Sequence, residues 1–545
     1  MFNIYFWFLK TIGPKGRLSY LLAIPLIILM SLSEIVGIAF VVPFIGSIFN
    51  LNSSQAPFAE YITNINLSTS LLGVLALSAY ISKIVVNVGT LYALNYLGYT
   101  IRNIFHYDYF RTYLLDTLEN KIKRSKGEGD SVRDLSYEFS LIHNQFIQSS
   151  LFLISEAFII LLLASIMLIY ATQITIIMAI SLVCVIIIQN TFFSSLLYRW
   201  GSDRADLDGK IAHLASYSVR GAKEIFVNQA ENRVLITLTK LQNQYQSLGY
   251  KQASTVNLPR YLIEIGAIGS IVLFVAINNN VKPNLAEELI LAIVASLRLL
   301  PSINKVAISL QAMRISLPSL TRLYLNKQMA EIRNFHEIAP KEITLMTESE
   351  GFKYRHPLSS KDITIPKFSL SKKGFITILG PSGSGKTTLF EIMIGLRNID
   401  RKKIKHVKYK SPILMAQQTH LFGSTVNGIL TEYSNNKIDK SWLDEVIKAC
   451  SLQEIINRQK NHKGDVNEIL SGGELNRLAI GRALVPKPDL LMLDEATNGL
   501  DLINRERIYK FLKEYSKNAL VIMISHDDVL HNFADQVITL TPDVL

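Results

Sequence analysis

The stretch FITILGPSGSGKTTLFEIMIGL, residues 375–396, decides how the carboxyl-terminal half folds. An apolar run from Phe375 to Leu379 reads as a strand. It stops at Gly380, and Gly380, Gly385, Lys386 and Thr387 then stand in GxxxxGKT spacing ahead of a helical segment. Strand, glycine-rich loop and helix in that order form a phosphate cradle, because inward-turned backbone N–H groups and the positive end of the helix both face an anion. The residues expected around the β- and γ-phosphates of a nucleotide are Gly380, Pro381, Ser382, Gly383, Ser384, Gly385, Lys386, Thr387 and Thr388. Lys386 supplies the charge, and the Thr387 hydroxyl suits a hard cation such as Mg2+.

Downstream, the apolar strand LLMLDEAT, residues 490–497, ends in Asp494 and Glu495. Asp494 is placed to hold the Mg2+ shell and Glu495 to orient or deprotonate an attacking water. An acidic pair at a strand end is common by itself, as is the SGG turn in LSGGE at residues 470–474. Their order carries more weight. Phosphate loop, Ser471-Gly472-Gly473-Glu474, acidic pair, Asp501 in NGLD and His526 in VIMISHD follow one another within this half. Short strands alternating with helical stretches predict an α/β domain over 343–545. The polar segment 327–342 is expected to link it to what precedes.

Upstream the composition changes. The 545 residues are 49% hydrophobic and 18% charged, with a net charge of +12 and a mean hydropathy of +0.25. That is too apolar for a disordered chain and too apolar for soluble domains alone. Only Cys184 and Cys450 are present, so a disulfide framework is excluded. The apolar excess lies in six runs, at about residues 20–49, 70–98, 149–171, 174–198, 258–279 and 286–310, near or above the length that crosses a bilayer. Residues 1–326 therefore read as a membrane domain with six spans. The first run is too long for a cleavable signal and has no small-residue cleavage site. Residues 2–17 read as a short interfacial helix. Basic residues crowd the segments between spans 2 and 3 and between spans 4 and 5, which predicts that these segments and both termini are cytoplasmic in a multi-pass inner-membrane protein. Their helical periodicity predicts that the spans continue as helices beyond the membrane. Basic residues spread in this way give no nucleic-acid footprint.

The motif series resembles the ATP-binding cassette proteins, and six spans followed by one cassette resembles an exporter half-transporter. The resemblance implies a fold of a six-helix transmembrane domain followed by an α/β cassette, ATP hydrolysis with Mg2+, and a homodimer, or a heterodimer with another half-transporter. It also implies residue roles. Gln417 in LMAQQTHLF matches the glutamine that senses Mg2+ and nucleotide, Tyr354 in GFKYRH the ring that stacks on adenine, His526 the γ-phosphate contact and Asp501 the dimer contact. Ser471, Gly472, Gly473 and Glu474 match the signature that closes a partner's nucleotide. Two departures stand out: Asn498-Gly499 replaces the usual Ser-Ala, and RNIDRKKIKHVKYKSP, residues 397–412, is short and lacks an Asp-Gly turn, which predicts a trimmed antiparallel subdomain.

Charged residues inside spans are candidates for a substrate cavity. They are Glu34, Lys83, Glu156, Glu264 and Arg298. SLSEIVGIAFVVPFIG (31–46), SEAF (155–158), PRYLIE (259–264) and LRLLPSINK (297–305) resemble the ATP-driven flippases of lipid-linked oligosaccharides. That resemblance implies a polyprenyl-pyrophosphate glycan as substrate and membrane lipids as surroundings, with Arg298 and Lys83 able to meet the pyrophosphate. The alternatives are an exporter of a peptide, drug or other amphiphile, and a membrane-tethered regulatory ATPase.

Overall fold

The computed structural model describes residues 2–48, 68–115, 134–278, 285–328, 343–355, 362–397, 404–434, 438–460, 466 and 469–540. Two compact units divide the chain, the first ending at Ala330 and the second containing Glu331–Leu545. The expected linker falls mostly outside the described residues.

The first unit is helical. All six apolar runs lie in long helices: α2 (Gly13–Ile48), α3 (Thr69–Leu115), α5 (Gln148–Tyr170), α6 (Thr172–Arg220), α8 (Glu231–Asn278) and α9 (Leu285–Gln328). Among the described residues, four stretches are long and apolar enough to cross a membrane, at Gly13–Val36, Thr69–Leu114, Tyr137–Ile169 and Glu231–Ile277; the apolar stretch at Thr172–Ser181 is shorter. Leu21, Leu77, Val85, Ile187 and Ile268 remain exposed on these helices, as surfaces facing hydrocarbon require. With 47, 49 and 48 residues, α3, α6 and α8 reach about 70 Å at a rise of about 1.5 Å per residue. They outrun a hydrocarbon core of about 30 Å. The short α7 (Ala222–Val227) connects α6 to α8.

Residues 2–17 do not form one interfacial helix. The first helix, α1 (Phe2–Thr11), gives way at Gly13, whose φ of +63° breaks the helical path before α2. Phe8 and Ile12 are fully buried against Ile101, Phe105 and Phe146, with the Phe8 ring edge-on to Phe105 at 5.1 Å. Burial of these side chains within the bundle, rather than in lipid, anchors α1.

Before α5 the chain forms α4 (Tyr137–Ile142) and then one π-helical turn, His143–Ile147. Beside it, the last turns of α9 are tied down by polar groups. Arg322 pairs with Asp134 and with the buried Glu138, Lys327 pairs with Asp108, and Asn326 donates to the Asp134 carboxylate at 3.3 Å.

The second unit holds two sheets. Strands β3 (Gly374–Leu379), β5 (Pro412–Met415), β6 (Leu490–Asp494), β7 (Leu520–Ile524) and β8 (Gln536–Thr539) form a parallel sheet in the order β5-β6-β7-β3-β8. Every residue of β6 and β7 is buried, which is why their sequences are continuous apolar runs. Alternate residues serve opposite cores: Leu491, Leu493, Val521 and Met523 pack in one, and Leu490, Met492, Ile522 and Ile524 in the other. The second sheet is antiparallel, β2-β1-β4, from β1 (Ile343–Arg355), β2 (Asp362–Ser369) and β4 (Ile404–Tyr409). The short segment after the phosphate-loop helix therefore still supplies a full edge strand. On that strand Tyr409 is buried and Lys408 exposed, and Lys410 just beyond it is exposed as well.

Candidate functional site

The sheet delivers the site at the carboxyl ends of β3 and β6. After β3 the loop needs glycine where the backbone turns left-handed: Gly383 and Gly385 have φ of +81° and +93°. A Cβ on Gly385 would also lie 2.5 Å from Ile363 Cγ2. Helix α10 (Lys386–Met393) starts directly behind, and α11 (Val426–Thr431), α12 (Lys440–Ala449) and α13 (Gln453–Lys460) follow later in the chain. The Lys386 ammonium folds back to donate to the carbonyls of Gly380 at 2.8 Å and Pro381 at 3.1 Å. Burial lowers its pKa, against the opposing pull of Glu495 and Asp494. Ser382 and Gly383 are exposed, Thr388 is half-buried, and the buried Ser384 hydroxyl has no hydrogen-bond partner among the described residues.

Thr387 Oγ1 donates to Asp494 Oδ2 at 2.9 Å. The other carboxylate oxygen, Asp494 Oδ1, is buried without a hydrogen-bond partner, and burial raises the pKa of this group. A hydroxyl beside a buried carboxylate with a spare oxygen is an all-oxygen donor set that fits Mg2+.

Glu495 follows with φ of +50°, and its N–H donates to the Ile524 carbonyl at 3.0 Å, so β7 fixes this strained residue. Three groups meet its carboxylate. Gln417 Nε2 donates to Oε2 at 2.8 Å, Asn498 Nδ2 donates to the same oxygen at 2.7 Å, and His526 Nε2 lies 3.2 Å from Oε1. The structure thus brings Gln417, Glu495 and His526 together from three strand ends. The Gln417 amide nitrogen is turned to Glu495.

Ser471 caps α14 (Gly472–Leu484) in a reciprocal capping box with Glu474: the Glu474 N–H donates to Ser471 Oγ at 3.4 Å, and the Ser471 N–H donates to Glu474 Oε2 at 2.9 Å. Burial opposes ionisation of Glu474, yet the Ser471 hydrogen bonds and Arg458 hold its carboxyl below the usual range. Gly472 is exposed at the mouth of this helix. Gly473 is held close to the turn after Glu495, since a Cβ there would lie 2.8 Å from the Gly499 carbonyl oxygen. Asp501 caps α15 (Leu502–Tyr515), accepting from the Asn504 N–H at 2.7 Å, and these Asn504 bonds depress its pKa.

Tyr354 departs from the expectation of an adenine platform. It is 9% exposed, packs in the core with Phe390 and Ile365, and carries the Arg397 guanidinium 6.0 Å from its ring centroid. Its strand places it opposite Ile363, and it is Ile363 that borders the phosphate loop. Alternation explains the difference: on β1, Tyr354 lies on the face turned to the core, flanked by exposed Lys353 and Arg355.

In the helical unit the candidate charges are paired. Lys83 Nζ lies 2.8 Å from Glu34 Oε2, and Asn87 donates to Glu34 Oε1 at 3.1 Å. Glu156 is buried and accepts from Lys305 at 2.8 Å. Glu264 pairs with Arg260 one turn away at 2.8 Å, both exposed. Arg298 lies on α9, with its side chain outside the described residues.

The sequence reading had missed Asn498, Asn476 and Lys305. Asn498 had been visible only as a departure from a motif, Asn476 as an ordinary residue behind the signature, and Lys305 as part of LRLLPSINK.

The two sheets, the phosphate loop and the apolar helical unit define the fold of an ABC exporter. Residues 364–498 match the ABC transporter family. A bacterial Atm1-family ABC exporter solved with ATP bound is similar over 97% of this chain and 94% of that one, with a TM-score of 0.75 and 15% identity. The ATP-dependent lipid A-core flippase of Shigella flexneri is 24% identical over 359 residues, 62% of this chain and 61% of its own length. The glutathione/L-cysteine transport system ATP-binding/permease protein CydC of Haemophilus influenzae is 26% identical over 226 residues, 38% of each chain. The chain covers less than two thirds of the length of either relative.

Proposed function

We propose that this chain is half of an ATP-driven exporter of the cytoplasmic membrane, with both termini cytoplasmic, and that it works as a homodimer. The observation that carries the reading is the Glu495 carboxylate, held by Gln417, Asn498 and His526 beside the Thr387 and Asp494 pair. Glu495 takes the proton of the attacking water, and His526 stands where the γ-phosphate is contacted. Thr387 and Asp494 hold Mg2+, which supplies neutralisation of phosphate charge when bound. The turn at the start of α14, with Ser471 and Gly472 exposed, is completed by the nucleotide of a second copy.

The substrate proposed is a lipid-linked oligosaccharide, a polyprenyl-pyrophosphate glycan moved from the cytosolic to the outer leaflet. Support comes from the four span segments that resemble such flippases and from the lipid A-core flippase relative. Lys83 and Lys305 are each engaged by a carboxylate; Lys83 is nearly buried with Glu34, whereas the Lys305 side chain is 54% exposed and keeps donors open to a phosphate beside Glu156. Arg298 is the further cation proposed for that role.

The test is purified chain in proteoliposomes. Glu495→Gln is expected to bind ATP and lose turnover; unchanged turnover would remove Glu495 as the base. Flipping of lipid-linked oligosaccharide, compared with lipid A, a peptide and a dye, then decides the substrate class.

A further inference from the structure

The turn that follows Glu495 carries a residue that joins two parts of the cassette. Asn498 uses both ends. Its side-chain amide donates to Glu495 Oε2 at 2.7 Å, while its backbone carbonyl accepts from Asn476 Nδ2 at 2.7 Å. Asn476 lies on α14, five residues after the capping Ser471, so a two-bond chain runs from that helix to the proposed base.

The surroundings leave this turn little freedom. The Asn498 N–H donates to the Glu495 carbonyl at 3.1 Å, and Gly499 takes φ of +77°. Gly473 packs against the Gly499 carbonyl with no room for a side chain. Beneath it, Thr497 Oγ1 and Tyr509 Oη lie 3.0 Å apart, and Tyr509 donates to Asp527 at 3.1 Å. Thr497 is buried, whereas Asn498 is exposed beside the carboxylate. Backbone and floor are thus fixed, and the Asn498 side chain is free to serve Glu495.

We propose that Asn498 is a positioning residue: it holds the Glu495 carboxylate in the orientation that accepts a proton from water, and it ties that orientation to the placement of α14 through Asn476. The inference rests on Glu495 acting as the base. Gln417 and His526 reach the same carboxylate from separate strand ends, so among the hydrogen bonds of the described residues it is Asn498 that links the base to the helix whose start meets a second copy's nucleotide in the proposed dimer. A shift of α14 moves Asn498 and, with it, the oxygen that Asn498 holds.

Steady-state ATPase of the full chain in proteoliposomes, with Mg2+-ATP, tests this. Asn498→Asp places a second carboxylate against Glu495 in place of a donor, and kcat is expected to fall about tenfold or more with KM within about twofold. Asn498→Gln, which keeps the amide, is expected to recover part of that loss. Asn476→Ala is expected to lower kcat by about threefold, and Asn476→Ala with Asn498→Ala is expected to lose less than the product of the single losses, since both act through one chain of bonds. If Asn498→Asp does not fold, Asn498→Ala carries the test with the same expected split of kcat from KM. Wild-type kcat in either folded Asp or Ala variant overturns the assignment, and so do fully multiplicative losses. Wild-type kcat in Glu495→Gln would instead overturn the base itself, which separates the two failures.

Discussion

Lys83 Nζ stands 2.8 Å from Glu34 Oε2 across two apolar helices, with Asn87 bonded to the other oxygen and Ser33 bonded in turn to Asn87 at 2.9 Å. A paired cation in this setting answers to its carboxylate first. Lys83→Ala leaves the buried Glu34 carboxylate without its cation, so an apparent loss of about 3–5 kcal/mol is expected. Lys83→Met with Glu34→Gln is expected to recover most of it. Thermal unfolding in detergent measures the difference. If the double variant is stable yet does not transport, the pair also meets substrate.

Tyr354 is predicted to matter for stability more than for nucleotide. Tyr354→Ala removes a buried ring and is expected to cost about 3–5 kcal/mol, while Tyr354→Leu, which keeps apolar bulk but loses the π face, should bind ATP within about twofold of wild type. Nucleotide titration and melting of both variants check this. A large affinity loss in a folded Tyr354→Leu or a stable Tyr354→Ala would return the ring to the adenine site.

Cys450 reports on cassette unfolding. The thiol is buried, and burial pushes it up to about 12, partly offset by Arg477. The sign follows: the folded state disfavours the thiolate, so stability from this group is complete below the unfolded pKa of about 8.5 and is lost only as pH rises toward 12. In a Cys184→Ala background, a maleimide at pH 8 is expected to label nothing in the native protein and one thiol in denaturant. Rapid native labelling would contradict the buried placement.

Arg322 joins Asp134 and Glu138, and Glu138 is buried. Arg322→Ala is expected to destabilise the helical unit by about 3–5 kcal/mol, seen as earlier thermal unfolding. Arg322→Lys should recover only part, because one ammonium cannot match a guanidinium spread over two carboxylates.

The sequence made much of this plain. Phosphate loop, acidic pair and signature are short-range patterns, and the strand ends and helix starts that carry them are legible because such geometry is set by residues adjacent in the chain. The apolar runs likewise marked their helices. The burial of Tyr354 was not legible because spacing along β1 does not say which face of the strand turns inward. Lys305 was missed because its partner Glu156 stands far away in sequence, and Asn498 because its reach back to Glu495, three residues earlier, depends on the left-handed turn after β6. The pairing of Glu34 with Lys83 was open to the same limit: two charges in separate spans can be substrate contacts or each other's partners, and only packing decides.

The π turn at His143–Ile147 is a phase slip. Each residue of an α-helix advances the azimuth by about 100°, so one residue extra resets which side chains look the same way above and below the turn. Below it, Glu138 is phased to reach Arg322; above it, Ser150 is phased to lie 2.8 Å from the Tyr20 hydroxyl. Two sets of contacts that one unbroken α-helix holds out of register are thereby reconciled. The indel tolerance of this stretch is correspondingly asymmetric: removing a single residue from the turn makes the helix more regular and yet forfeits one set of partners.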